Sequence, residues 1–348
     1  MNRICGQALA LTVSAVLVIP AMADGDLKFA EFDDCPLVSG EVIRDCRVGY
    51  RTFGQLNDTG SNAILFPTWF TGTTGDLVKF GYIGPGLFAD SATYFIVTVD
   101  AFGNGVSSSP GNSESQHGAA FPELRIADMV HAQHRLLTDK LGISQLHAVM
   151  GASMGGMQAL EWAVRYPNFM KKIVTVVGTP RQTSYDLLLW NAQLGAIQNL
   201  AVDDYESTIR VIAALDNLNA YTPAYVAGNT PAAGYQEFLQ LSVDSIRRYG
   251  LENRVPQLQA MIHHDISASF GGSMAEAAAA ISADLLIVVS AEDHMVNPIP
   301  SRELAELADA EFLELTGDCG HIAVGCEIER VTEVVLQFLR KPAQDPDN

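Results

Sequence analysis

A serine, an aspartate and a histidine stand in this 348-residue sequence in settings that suit acyl transfer to a side-chain hydroxyl. Ser153 lies in Gly151-Ala152-Ser153-Met154-Gly155-Gly156, directly after the apolar run 146–150 and before a helical pattern starting near Met157. A nucleophile at a sharp strand-to-helix turn needs small residues two before and two after it, because larger side chains would collide there. The hydroxyl is a weak nucleophile on its own and needs a base, which an acid must orient. Both are expected downstream, in the order serine, acid, histidine. The run 285–289 leads into Ser290-Ala291-Glu292-Asp293-His294, and 312–315 leads into Thr316-Gly317-Asp318-Cys319-Gly320-His321. Asp293 is the expected acid, with Glu292 and Asp318 as competitors, and His321 is the expected general base. His294 would have to reach back from the acid's own loop. His117, His131, His134, His147, His263 and His264 fit no position in such a site. His263-His264-Asp265 could suggest a metal, but adjacent histidines on a helix point apart, which predicts a surface role for the pair. This chemistry calls for no cofactor.

The tetrahedral intermediate of acyl transfer carries an oxyanion that backbone donors must meet. One expected donor is the N–H of Met154, the residue after the nucleophile. The other should come from Thr68-Trp69-Phe70-Thr71-Gly72, the loop after the run 63–66.

Short apolar runs alternating with helix-period segments position these residues, the pattern of an α/β fold with a mostly parallel sheet flanked by helices. The runs 63–66, 94–99, 146–150, 173–177, 285–289 and 312–315 read as strands covered on both faces, since they lack polar alternation. Segments 126–141, 158–166, 301–307 and 331–339 carry helical spacing. From 182 to 272 only helical periodicity appears, so the expected organisation is an α/β core, 24–181 and 273–341, with an inserted helical lid, 182–272. That insertion is also a candidate homodimer surface. The tail 342–348, with Pro342, Asp345, Pro346 and Asp347, is expected to be disordered.

Residues 1–23 have the order of a cleaved secretory signal peptide: a basic start at Arg3, an apolar run over 8–19, and Ala21-Met22-Ala23 before Asp24. That run, about 12 residues, falls short of the roughly 20 needed to span a bilayer. The expected location is therefore periplasmic or extracellular, without stable membrane insertion. Without the leader the chain keeps 20 basic against 40 acidic residues, a net charge near −20. Nucleic acid and anionic membranes are poor partners for such a surface; the expected partner is a small acyl ester. Cys35, Cys46, Cys319 and Cys326 remain, an even number with no zinc-type C-x2-C spacing, which predicts two local disulfides. Cys35 and Cys46 flank Ser39-Gly40 in an expected hairpin, placed to lie opposite each other, and Cys319 and Cys326 bracket His321.

The stretch from Gly151 through Met157-Gln158-Ala159-Leu160-Glu161-Trp162-Ala163 to Tyr166-Pro167, together with Ser39-Gly40-Glu41-Val42 and Asp128-Met129-Val130, resembles the homoserine O-acetyltransferase family of α/β-hydrolase-fold proteins. The match covers about 32–191 and 284–321. The resemblance implies an acyl-enzyme at Ser153, an oxyanion hole using the backbone of Phe70 and Met154, and a helical lid that forms a substrate tunnel. Two departures are local. In that family an aspartate follows the histidine and helps to hold the homoserine amine, whereas Ile322 stands here. The family also has an arginine for the substrate carboxylate after the asparagine of the first lid helix, whereas Asn191 is followed by Ala192 and Gln193. The sequence thus points to a serine hydrolase cleaving acyl esters through acyl-Ser153. The alternative is an acyltransferase moving acetyl from acetyl-CoA to an amino alcohol.

Overall fold

A computed structural model of the chain describes residues 23–200 and 204–343. The expected leader, except Ala23, and all but the first two residues of the expected tail lie outside the described residues. The strands are β1 (Ala23–Asp24), β2 (Lys28–Pro36), β3 (Val42–Gly54), β4 (Ala63–Pro67), β5 (Ile83–Gly84), β6 (Ala89–Asp90), β7 (Phe95–Val99), β8 (Leu146–Ala152), β9 (Met170–Val176), β10 (Asp284–Ser290) and β11 (Glu311–Leu315). Nine of them form one sheet in the order β1-β3-β7-β4-β8-β9-β10-β11, with β2 paired to β3 and β5-β6 a small separate pair. From β7 to β11 every pairing is parallel, while β1, β2 and β3 add an antiparallel edge.

Successive residues of a strand face opposite sides, so a sheet covered twice must be apolar at every position. In β8, Val149 enters one core, with Met129, Leu160 and Trp162. Its neighbours Ala148 and Met150 enter the other, with Val331, Val335 and Phe338. Helices α1 (Thr74–Lys79), α2 (Ile126–Arg135) and α3 (Met154–Arg165) lie within the first half of the chain. Where one helix was expected over 126–141, α2 widens after Arg135 into a π-type turn, Leu136–Lys140.

Between β9 and β10 the chain runs through α4 (Ser184–Leu200), α5 (Tyr205–Ala220), α6 (Pro223–Asn229), α7 (Tyr235–Tyr249), α8 (Leu251–Ile262) and α9 (Met274–Ala279). Then α10 (Ile299–Leu307) precedes β11, and α11 (Ala323–Cys326) and α12 (Ile328–Arg340) follow it. Not every helix of the long insertion stands apart from the sheet's loops. From α8, Gln257 donates to Phe102 O at 3.0 Å and Asn253 accepts from Gly111 N at 2.9 Å.

Both expected disulfides are present, Cys35–Cys46 and Cys319–Cys326. The hairpin cysteines are diagonal rather than opposite: the ladder sets Cys35 against Ile43 and Cys46 against Phe32. Asp45, at φ 50°, interrupts regular extension beside Cys46, and the two Cα atoms are 5.7 Å apart.

Candidate active site

Ser153 follows β8 directly and caps α3, with φ 54° and ψ −124°, a conformation that L-residues rarely adopt. Its N–H donates to Val176 O of β9 at 2.8 Å, which holds the turn. The neighbouring glycines are required by contact. A Cβ at Gly151 would lie 2.1 Å from Gly155 O, and one at Gly155 would lie 2.8 Å from Pro67 O. Helix α3 therefore starts at Met154, three residues before the position the periodicity suggested.

The structure brings the three expected residues together across 168 positions of sequence. His321 Nε2 is 2.9 Å from Ser153 Oγ, and His321 Nδ1 is 2.7 Å from Asp293 Oδ2. Asp293 is almost wholly buried, and its other oxygen, Oδ1, accepts from Met295 N and Val296 N, both at 2.9 Å. A carboxylate can only accept, so Nδ1 carries the imidazole proton and Nε2 is free to accept from the serine hydroxyl. Of the competing carboxylates, Glu292 is exposed, and the loop of Asp318 presents its backbone carbonyl to the Thr222 hydroxyl. The loop carrying His321 also rests on the α5–α6 connection, because Gly320, at φ 71°, packs where a Cβ would meet Ala220 O at 2.9 Å.

Of the loop after β4, three N–H groups are engaged: Thr68 with Val99 O, Gly72 with Trp69 O, and Thr71 with Gln257 Oε1. Gln158 of α3 donates to Thr68 O at 3.0 Å and accepts from Gln133, which in turn accepts from Trp162 Nε1. These bonds give Gln158 and Trp162, both in the motif that extends past the serine, a role in seating this loop. The Phe70 ring packs edge-on against Trp190, centroids 5.9 Å apart, and the Arg254 guanidinium lies 4.6 Å from its centre.

Some polar residues around the site give little sequence signal. Asp186 is buried in the first turn of α4; it closes a capping box with Thr183 and accepts from Asn297 N at 2.9 Å, tying α4 to the loop of Asp293. Burial raises its pKa, the bonds from Thr183 and Asn297 oppose that rise, and the nearby Asp293 charge adds to it. The Thr183-x-x-Asp186 spacing could have revealed the cap but not its partner. The surface role expected for the histidine pair holds for His263 and fails for His264. Helix α8 ends at Ile262, and the chain then turns His264 inward, its Nε2 2.9 Å from Thr179 O. Burial lowers the His264 pKa.

The family model for the alpha/beta hydrolase fold matches residues 64–325. The chain is 33% identical over 341 residues to an ethyl acetate hydrolase of Pseudomonas veronii, covering 92% of this chain and 97% of that one. It is 28% identical to a homoserine O-acetyltransferase of Trichormus variabilis, covering 87% of this chain and 90% of the relative. Among solved structures, an acetylester hydrolase from Corynebacterium glutamicum superposes with a TM-score of 0.85 at 25% identity, covering 91% of this chain and 96% of the other. With its parallel sheet, its serine at the β8–α3 turn and these relatives, the chain belongs to the α/β-hydrolase fold family and is an enzyme of its esterase and acyltransferase group.

Proposed function

We propose that this chain hydrolyses small acyl esters through an acyl-Ser153 intermediate. The observation that carries the proposal is the unbroken Ser153–His321–Asp293 chain of hydrogen bonds. In the first half-reaction Ser153 Oγ attacks the ester carbonyl as His321 Nε2 takes its proton, and the tetrahedral oxygen is met by the N–H groups of Met154 and Phe70. Met154 opens α3, so its N–H has no intrahelical acceptor, and Phe70 belongs to the same loop as the three engaged N–H groups. Collapse passes the proton from His321 to the departing alcohol. Water, deprotonated by His321, then attacks the acyl-serine; as the bond to Ser153 Oγ breaks, His321 returns the proton to that oxygen and the acid leaves. The helices over 182–272 serve as the lid. The two disulfides support residence in an oxidising compartment, periplasmic or extracellular.

Water is favoured over homoserine as the acceptor by the groups at two positions. Ile322 offers nothing to an amine. The arginine expected of a transferase in α4 is absent, and the nearby cations are engaged: Arg181 with Glu303, and Arg254 with Asp216 and Gln193. Each missing charge-assisted contact weakens binding by about 1.5 to 3 kcal/mol, so two reduce recognition by a factor of about 10² to 10⁴.

The test has two arms. A fluorophosphonate should label wild type on Ser153 and leave Ser153→Ala unlabelled; an adduct mapped to another serine refutes the nucleophile. Turnover of p-nitrophenyl acetate should exceed O-acetylhomoserine formation from acetyl-CoA and homoserine. The reverse order establishes the transferase instead.

A further inference from the structure

One face of α8 grips the loop that carries Phe70. Gln257, fully buried, accepts from Thr71 N at 2.9 Å and donates to Phe102 O at 3.0 Å, and the two contacts together fix which end of its amide is oxygen. The Tyr249 hydroxyl sits 3.0 Å from the same Gln257 oxygen and 2.7 Å from Gly103 O. Burial pushes that phenol well above the ordinary tyrosine range, so it stays a donor. Thr71 is held at φ 61°, a left-handed conformation that a β-branched residue adopts only under outside restraint. Arg254, one turn before Gln257, lies over the Phe70 ring and is itself fixed by Asp216 and Gln193. The ring of Phe70 and the peptide that follows it are therefore both clamped from α8, which leaves the direction of the Phe70 N–H little freedom.

We propose that Gln257 is a positioning residue for ester hydrolysis: by holding the Thr71 N–H it aims the Phe70 N–H at the oxyanion, with Arg254 bracing the ring. The proposal rests on the acyl-Ser153 reading and on Phe70 as an oxyanion donor. Gln257 touches no reacting atom, so its loss should act on the transition state and leave ground-state binding nearly unchanged.

The experiment compares Gln257→Met, Gln257→Asn and Gln257→Glu with wild type and Ser153→Ala, each shown to be folded by thermal melting. The readouts are kcat and KM for p-nitrophenyl acetate and the inhibition constant of a trifluoromethyl ketone, which adds to the serine and places an oxyanion in the same position. Methionine removes the acceptor and asparagine withdraws it by one methylene. Both should lower kcat about 10- to 100-fold with KM within about threefold, and should weaken the ketone by the same factor as kcat. Glutamate keeps an acceptor at full reach for the Thr71 N–H whichever its state of ionisation. That variant should stay within about threefold of wild type. If the methionine variant does not fold, the asparagine and glutamate pair decides. The proposal is overturned if folded acceptor-loss variants keep kcat within about twofold, if kcat falls while ketone affinity does not move, or if glutamate is as impaired as asparagine. Wild-type turnover by Ser153→Ala would instead sink the acyl-serine reading itself.

Discussion

Opening the Cys319–Cys326 bridge while leaving Cys35–Cys46 closed should separate the catalytic contribution of a disulfide from its contribution to stability. Cys326 is exposed, whereas Cys35 and Cys46 are both buried, so a mild thiol reductant should reach the former bridge first. The bridge closes a loop of roughly eight residues, and the chain-entropy relation assigns that closure about 2.5 kcal/mol at 25 °C. With an unfolding entropy of about 2.1 cal/mol/K per residue, a chain of this length should lose about 4 °C of melting temperature. The effect on activity arises separately. His321 sits inside the bracketed loop and must keep both its 2.7 Å bond to Asp293 and its 2.9 Å approach to Ser153. A displacement of about 1 Å at such a centre costs up to about 10² in rate. A timed dithiothreitol pulse, trapping with iodoacetamide and peptide mapping will show which bridge has opened, while p-nitrophenyl acetate turnover is followed before and after reoxidation. Turnover should fall about tenfold or more and return on reoxidation. A paired Cys35→Ala and Cys46→Ala variant should lose about 2.8 kcal/mol with kcat unchanged. Free Cys319 and Cys326 with kcat within twofold would refute a catalytic role for the bridge, and prior opening of Cys35–Cys46 would refute the expected order of reduction.

Asp293→Asn should lower kcat by about 10³ to 10⁴ without loss of fold. Met295 and Val296 will keep the amide oxygen at the Oδ1 position, which turns the NH₂ towards His321 and forces the wrong tautomer; a loss under tenfold would contradict this. Gly151→Ala should destabilise by more than about 3 kcal/mol, because its methyl would meet the Gly155 backbone and not a movable side chain; denaturant unfolding at the wild-type midpoint would count against that. The lowered pKa of His264 means that the unfolded chain binds a proton that the folded chain refuses. This histidine's share of stability is therefore complete above about pH 6.5 and declines as pH falls through that value. His131, His134 and His147 are shifted in the same direction, so the informative quantity is the difference between wild type and His264→Gln across pH 5 to 8. Parallel curves would remove His264 from the account.

The central parallel strands were legible because double-sided burial leaves an unbroken apolar run: residues 63–66 became Ala63–Pro67, and 285–289 became Asp284–Ser290. The expectation of two-sided cover fails for 312–315, because β11 closes the edge of the sheet and leaves Glu311 and Phe312 exposed. The same logic missed the start of β9, where Lys172 is buried against Asp284 and beneath the Phe338 ring, a charge that apolar runs do not anticipate. The meeting of Ser153, Asp293 and His321 could be anticipated because each lies in the turn or loop that follows a strand, where local context is informative. Gln257 could not. Its partner Thr71 is 186 positions away, and a glutamine on a helix has the same local pattern whether it faces solvent or a strained loop. Adjacent residues do point apart, and of this histidine pair His263 faces solvent while His264 faces the interior.

Both disulfides join cysteines that are near neighbours in sequence, with separations of 11 and 7. The four cysteines of these two bridges allow three pairings among themselves, and each of the other two needs closures spanning roughly 280 residues. Closure probability falls as about the 3/2 power of loop length, so the observed partners meet on the order of a hundredfold more often in the unfolded chain. Synthesis adds an order of appearance, since Cys35 and Cys46 can join long before Cys319 exists. The chain thus depends on an oxidant to mature but has little need of an isomerase to correct wrong bridges. Refolding yields from the reduced, denatured state should respond to the glutathione redox ratio far more than to added disulfide isomerase.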